Sequence, residues 1–190
     1  MSCPSSRPLS FNTELVRLNR LHELGFQHWS FLPGMLFGAA TTWWSATGTT
    51  VRPLPHEGLD LYSFVGEGGL LASLKPGALI PVLARGEVMA IFADFLGHSI
   101  LVAHDLEQGG ARFYSLYGHV TAAPGLGPGH QCQEGEVIAR IAVSRRAGVP
   151  AHLHLSTLWH SGRLAGELSW PYLNTAAGVH FCDPLECIGV

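Results

Sequence analysis

The chain is 190 residues long, which suits one domain, or one domain with an appendage, and excludes two independent enzymes side by side. Eleven Lys and Arg against 14 Asp and Glu leave a formal charge of −3, with 13% of residues charged; that excludes the basic footprint of a nucleic-acid or anionic-membrane binder. A hydrophobic fraction of 47% with 23 Gly and 12 Pro argues against disorder and favours short strands joined by tight turns.

In chain order, the N-terminus reads Met-Ser-Cys-Pro-Ser-Ser-Arg-Pro and lacks the basic start and apolar run of an export signal. From Phe11 to Gly25 the pattern is helical: Asn12 is a candidate cap, Glu14 lies in the first turn, and Leu15, Leu18, Leu21 and Leu24 recur before Gly25 stops the run. Phe11 and Val16 are placed to form a hydrophobic staple. Residues 1–50 are expected to form an arm with one helix, packed on a main domain of residues 51–190. Trp29 to Trp44 is the most apolar stretch, but Pro33, Gly34 and Gly38 interrupt it and it is too short to span a bilayer. It reads as core or hairpin, so no membrane span is expected.

Beyond Gly25 the apolar runs shorten and are bounded by Gly, Pro or Asp: Ala78–Leu83, Glu87–Phe92, Ser99–His104, Arg112–Tyr117, Val137–Ile141 and His152–Leu158. The expectation is a mainly β core with a short N-terminal helix. Two segments echo each other, since Pro76-Gly77 leads to Gly86-Glu87-Val88 as Pro128-Gly129 leads to Gly135-Glu136-Val137; one small β unit is used twice. The four cysteines, Cys3, Cys132, Cys182 and Cys187, form no C-x-x-C pair and are expected as free thiols, a Cys182–Cys187 bridge being the alternative.

Histidine is the unusual count, at 11, and it is the commonest metal ligand and proton shuttle near neutral pH. Three places put it in chemically suggestive company. In His56-Glu57-Gly58-Leu59-Asp60, the upstream Pro53 and Pro55 and the central Gly58 favour a turn entering a strand, where a nitrogen and a carboxylate oxygen can converge on one cation. In His152-Leu153-His154-Leu155, strand alternation puts both imidazoles on one face and both leucines in the core. In Tyr117-Gly118-His119, the same alternation puts Tyr117 and His119 on one face. Together, His56, Asp60 and one strand histidine make an N,N,O set that leaves zinc a fourth position for water, a catalytic type of site.

These residues resemble the lysostaphin/LytM-type zinc endopeptidases, whose signature is H-x-x-x-D, then Tyr-x-His, then H-x-H. The resemblance runs from about Pro53 to Leu158, with Asp183-Pro184-Leu185 similar to a closing element. It implies a mostly antiparallel β-sandwich, or barrel-sandwich hybrid, with an internally duplicated half. It implies one zinc ion per chain held by His56, Asp60 and His154, with His119 and His152 as the catalytic histidines. The implied substrate is a peptide bond in peptidoglycan stem peptides or cross-bridges, and the implied location the cell envelope. The chain departs from the pattern around H-x-H, where Ala151 and Leu155 replace the usual Pro and Phe, and residues before Pro53 align with nothing.

Two other readings fit the same fold: a non-catalytic wall-binding or amidase-regulating module, and a phosphohistidine carrier, against which Asp60 counts. His104 is expected to be a hydrogen-bonded structural residue. Of the adjacent Trp43 and Trp44, one faces the core and the other is free to line a cleft. Arg145 and Arg146 precede the H-x-H strand, in a loop from which they can meet an acidic peptide. His22, His28, His98, His130, His160 and His180 receive no role.

Overall fold

The computed structural model describes Pro4, residues 10–44, residues 50–162, Leu164 and residues 168–189. Helix α1 spans Phe11–Leu18 and buries Phe11 and Leu15 in the main core. The helical run to Gly25 is broken in two. Asn19 leaves the helix and pairs with the backbone of Leu79, accepting from its N–H at 2.7 Å and donating to its carbonyl at 2.8 Å. Arg20 then takes a left-handed φ, and a separate 3-10 turn, Leu21–Leu24, ends at Gly25 with φ 66°. Asn12 does not cap; its side chain accepts from Trp29 Nε1 at 2.8 Å.

The strands follow as β1 His28–Ser30, β2 Leu59–Leu61, β3 Ser63–Val65, β4 Leu71–Ser73, β5 Leu79–Pro81, β6 Gly86–Ala93, β7 His98–Gln108, β8 Ala111–Ala122, β9 Gln131–Cys132, β10 Val137–Ile141, β11 Leu153–His160 and β12 Val179–Cys182. Short helices α2 (Trp170–Thr175) and α3 (Leu185–Ile188) lie near the C-terminus. The fold is mainly β and antiparallel, as the sequence predicts. A small sheet runs β1-β3-β4, and a nine-stranded sheet runs β12-β11-β8-β7-β6-β9 with β2, β5 and β10 branching from that path. The long β7–β8 hairpin turns through Gly109-Gly110, both at positive φ, as a two-residue hairpin loop requires.

The sequence echo has a structural meaning. The strand after the first Pro-Gly, β5, pairs with the strand after the second Gly-Glu-Val, β10. Reciprocally, β9 follows the second Pro-Gly and pairs with the start of β6 at Gly86 and Glu87. Gly77 and Gly129, at equivalent places, have φ 86° and 87°, a left-handed turn that glycine adopts without strain. The two units therefore clasp each other crosswise.

The main core lies on the face of the large sheet that carries Ile80, Val102, Tyr117, Ile138, Leu153 and Leu155. A second cluster on Leu101, Tyr114, Leu116 and Leu158 is covered by Leu164, Leu173 and Trp170. His104 is fully buried, with Nδ1 donating to the Ala84 carbonyl at 3.0 Å and Nε2 2.7 Å from Ser115 Oγ. Cys132 and Cys182 are free and buried, whereas Cys187 is disulfide-bonded. The four-thiol expectation thus fails at Cys187, and no Cys182–Cys187 bridge forms. Among the described residues no helix is long and apolar enough to cross a membrane.

Candidate metal centre

Strand pairing assembles the site. At His154, β11 lies between two neighbours: Asp60 of β2 stands opposite on one side and Gly118 of β8 on the other. Adjacent strands sit about 4.8 Å apart, so side chains from Asp60 and His154 meet directly. His56 enters from the loop before β2, fixed by its N–H to the Ala39 carbonyl at 3.0 Å and by Gly38 N–H to its own carbonyl at 2.8 Å. Gly58 lies against β11, where an added Cβ would stand 2.5 Å from the Leu155 carbonyl and 2.7 Å from His154 Nε2.

Three donor atoms converge. His56 Nε2 is 3.1 Å from His154 Nδ1 and 3.2 Å from Asp60 Oδ1, and His154 Nδ1 is 2.9 Å from Asp60 Oδ1. In a tetrahedral zinc site with ligands at 2.0–2.1 Å, neighbouring ligand atoms are roughly 3.3 Å apart. The fit extends to the hydrogens. His56 Nδ1 faces the Leu36 carbonyl at 3.0 Å, which only accepts, so that nitrogen carries the hydrogen and Nε2 presents a lone pair. His154 Nε2 lies 2.8 Å from the Ser156 hydroxyl, a group able to accept its hydrogen and so to leave the Nδ1 lone pair to the cluster. With the hydrogens so placed, two lone pairs and a carboxylate point at one another, a convergence that a cation resolves.

Asp60 is held from behind. Its Oδ2 accepts from Trp43 Nε1 at 2.7 Å and lies 3.6 Å from the Arg52 guanidinium. Burial would raise its pKa, but the charge of His152 and the close imidazoles of His152, His154 and His56 outweigh it and hold the carboxyl well below the usual range. Burial likewise opposes charge on His154, yet the hydrogen bond and charge of Asp60 raise it above its ordinary value.

His152 and His119 stand beside the trio. Their rings are 4.8 Å apart, and His119 is 5.7 Å from the His154 ring. His152 Nδ1 faces the Pro150 carbonyl at 2.7 Å, leaving buried Nε2 as the proton-accepting atom, 3.6 Å from Asp60 Oδ1. Burial pushes the His119 imidazole down to about 4, outweighing the opposing pull of Asp94, so it is neutral at pH 7.

The H-x-H alternation holds, with Leu153 and Leu155 in the core. Tyr117 and His119 do not share a face. Between the pairs Ile100↔Tyr117 and His98↔Val120, Gly118 and His119 oppose Ser99 alone. This bulge, with φ 65° at His119, turns the imidazole to the His154 side while Tyr117 stays in the core, its hydroxyl accepting from Leu83 N–H at 2.7 Å.

A cleft of about 280 Å³ opens over the trio, with Trp44, Phe95 and Trp170 as apolar walls and Arg52 and Glu57 as polar groups. Of the adjacent tryptophans it is Trp44 that lines the cleft, while both pack on His152, at 5.2 and 5.6 Å; neither lies in a strand of the fold, so they need not face opposite ways. Arg146 stacks over Phe95 at 5.2 Å. The sequence gives no sign of Asp94, Phe95 or Trp170 as site residues: each is brought in by a hairpin turn or by α2. A second group with ligating atoms, His130, Cys132 and Glu136, is half exposed, and its His130 Nε2 is engaged by Glu136 Oε1 at 2.7 Å.

No family model matches the sequence, and no curated protein matches it. Solved structures do. The chain is similar to LytU (TM-score 0.45, 22% identity, covering 81% of this chain and 95% of that one). It is similar to the catalytic domain of the antimicrobial peptidase lysostaphin from Staphylococcus simulans (TM-score 0.47, 13% identity, 88% of this chain and 94% of that one). It is also similar to a point mutant of the catalytic domain of the prophage-encoded M23 protein EnpA from Enterococcus faecalis (TM-score 0.40, 17% identity, 73% of this chain and 92% of that one).

Proposed function

We propose that the chain is a zinc-dependent endopeptidase that hydrolyses peptide bonds in peptidoglycan stem peptides or cross-bridges. The observation that carries the reading is the trio His56, Asp60 and His154, with donor atoms 2.9–3.2 Å apart and two further imidazoles beside it. Two neutral imidazoles and one carboxylate are a zinc donor set with room for a fourth ligand. When bound, zinc supplies Lewis acidity toward water and a substrate carbonyl.

The chain's own residues do the rest. Asp60 and the two ligand imidazoles bind the ion in fixed orientations set by Trp43, Leu36 and Ser156. His152 and His119 share the proton work: one takes the proton of the attacking water and passes it on to the leaving amine, and the other hydrogen-bonds the developing oxyanion once its own Nε2 carries a proton. The apolar walls exclude bulk water and seat an extended peptide. The signature order of the five residues supports a peptide substrate, and Asp60 at the centre counts against a phosphohistidine carrier.

The zinc-loaded chain incubated with purified peptidoglycan and with oligoglycine peptides should release new amino termini, and His119→Ala should abolish the release while keeping the metal. A zinc-loaded protein that binds peptidoglycan and cleaves nothing would instead establish the wall-binding module.

A further inference from the structure

We infer that Asp94 is a positioning residue: its carboxylate holds His119 in the tautomer with hydrogen on Nδ1, so that Nε2 is the nitrogen free to take a proton in the cleft. The inference deepens the peptidase reading and rests on it for its kinetic part.

Asp94 occupies the turn between β6 and β7, and its side chain is 1% exposed. Oδ1 accepts from the backbone N–H of Leu96 at 2.9 Å and of Gly97 at 2.8 Å. Oδ2 accepts from Ser99 Oγ at 2.8 Å and from the backbone N–H of His119 at 2.8 Å. Surrounded by donors, the group is kept as a carboxylate; burial opposes this, but the hydrogen bonds and charge of His119 prevail and lower its pKa.

His119 Nδ1 is buried and lies 3.2 Å from Asp94 Oδ1, and no other group among the described residues is hydrogen-bonded to it. An ionised carboxylate can only accept, so the hydrogen belongs on Nδ1. The same carboxylate fixes the backbone of His119, a non-glycine residue at φ 65° whose conformation costs energy unless it is held. A chain of donors extends behind it, because Trp170 Nε1 donates to Ser99 Oγ at 2.9 Å. One carboxylate thus ties the β6–β7 turn, the bulge of β8 and, through Ser99, helix α2 to the orientation of one imidazole.

The bland alternative is that Asp94 only closes the turn, as Asp and Asn both do through their side-chain oxygen. Long-range proton–nitrogen NMR of the full chain with labelled histidine separates the two. The His119 signal is assigned by its loss in His119→Ala. At pH 7 the wild-type chain should show the Nδ1–H tautomer of His119, and a wild-type Nε2–H tautomer would overturn the inference without need of any variant. In Asp94→Asn, the Nδ1–H tautomer should be lost and kcat should fall about 100- to 10,000-fold at unchanged KM and zinc content. A variant with wild-type tautomer and kcat would leave only the turn-closing role. If the chain hydrolyses nothing, the peptidase reading fails while the tautomer measurement still decides the role of Asp94.

Discussion

The two oxygens of Asp60 have separate partners: Oδ1 joins the imidazoles, and Oδ2 accepts the indole hydrogen of Trp43. Trp43→Phe keeps an aromatic ring against His152 but deletes that donor. Loss of such an outer partner weakens metal binding about 10- to 100-fold, which titration of the zinc-loaded protein with a competing chelator will measure. Asp60→Ala removes a ligand and should strip the metal. His119→Ala, by contrast, should retain zinc and lose at least ~100-fold in turnover. The five residues that the structure brings together stand out in the sequence by residue type and short spacing, and the resemblance supplies the role proposed for each. Trp43 and Asp94 do not stand out, because what defines them is a contact to a residue 17 or 25 positions away, and no local pattern encodes that.

Among the elements, β8 concentrates the chemistry where one neighbour hands over to another. Its edge is paired with β11 as far as Gly118 and with β10 from Val120 onward. His119 stands at the handover, and its carbonyl accepts from Ala142 N–H at 2.9 Å. Alternation reads Tyr117 and His119 onto one face because it assumes an unbroken strand; the extra residue opposite Ser99 changes which way the imidazole points. The same limit applies to α1, whose 3.6-residue period runs on through Asn19 although the Asn19 side chain is bound to the backbone of β5. Gly58 tests the close approach of the β2 entry to β11. Gly58→Ala drives a methyl into the Leu155 carbonyl and the Ser156 hydroxyl, so it should cost about 1–3 kcal/mol or more and lower both Tm and zinc affinity. An alanine variant with both unchanged would mean the strands sit further apart than described.

Across the whole molecule, segments read as a packing arm also complete the site. Leu36 sets the His56 tautomer, Trp43 holds Asp60, and Trp44 walls the cleft, while the C-terminal segment brings Trp170 against His154 at 5.1 Å. The strand pattern and the paired echo were readable because turns and apolar runs are local; these coverings were not, because their register depends on surfaces made by the completed sheet. Stability should depend on pH through His104, remote from the metal centre. Burial pushes its imidazole down to about 4, against the opposing pull of the Arg85 and Ala84 carbonyls, whereas the unfolded chain titrates near 6.5. Above pH 6.5 both states are neutral there and the full stability is present. Between 6.5 and 4 the unfolded chain takes up a proton that the native chain refuses, so stability falls as pH falls, by on the order of 3 kcal/mol. Urea unfolding of His104→Gln across this window should show a shallower slope than the wild type.

Metal analysis of the purified full chain beside His154→Ala bears most directly on the account. One zinc per wild-type chain and none in the variant is the expected result. A wild-type chain that takes up no divalent ion, or a variant that holds zinc as tightly as the wild type, would contradict it.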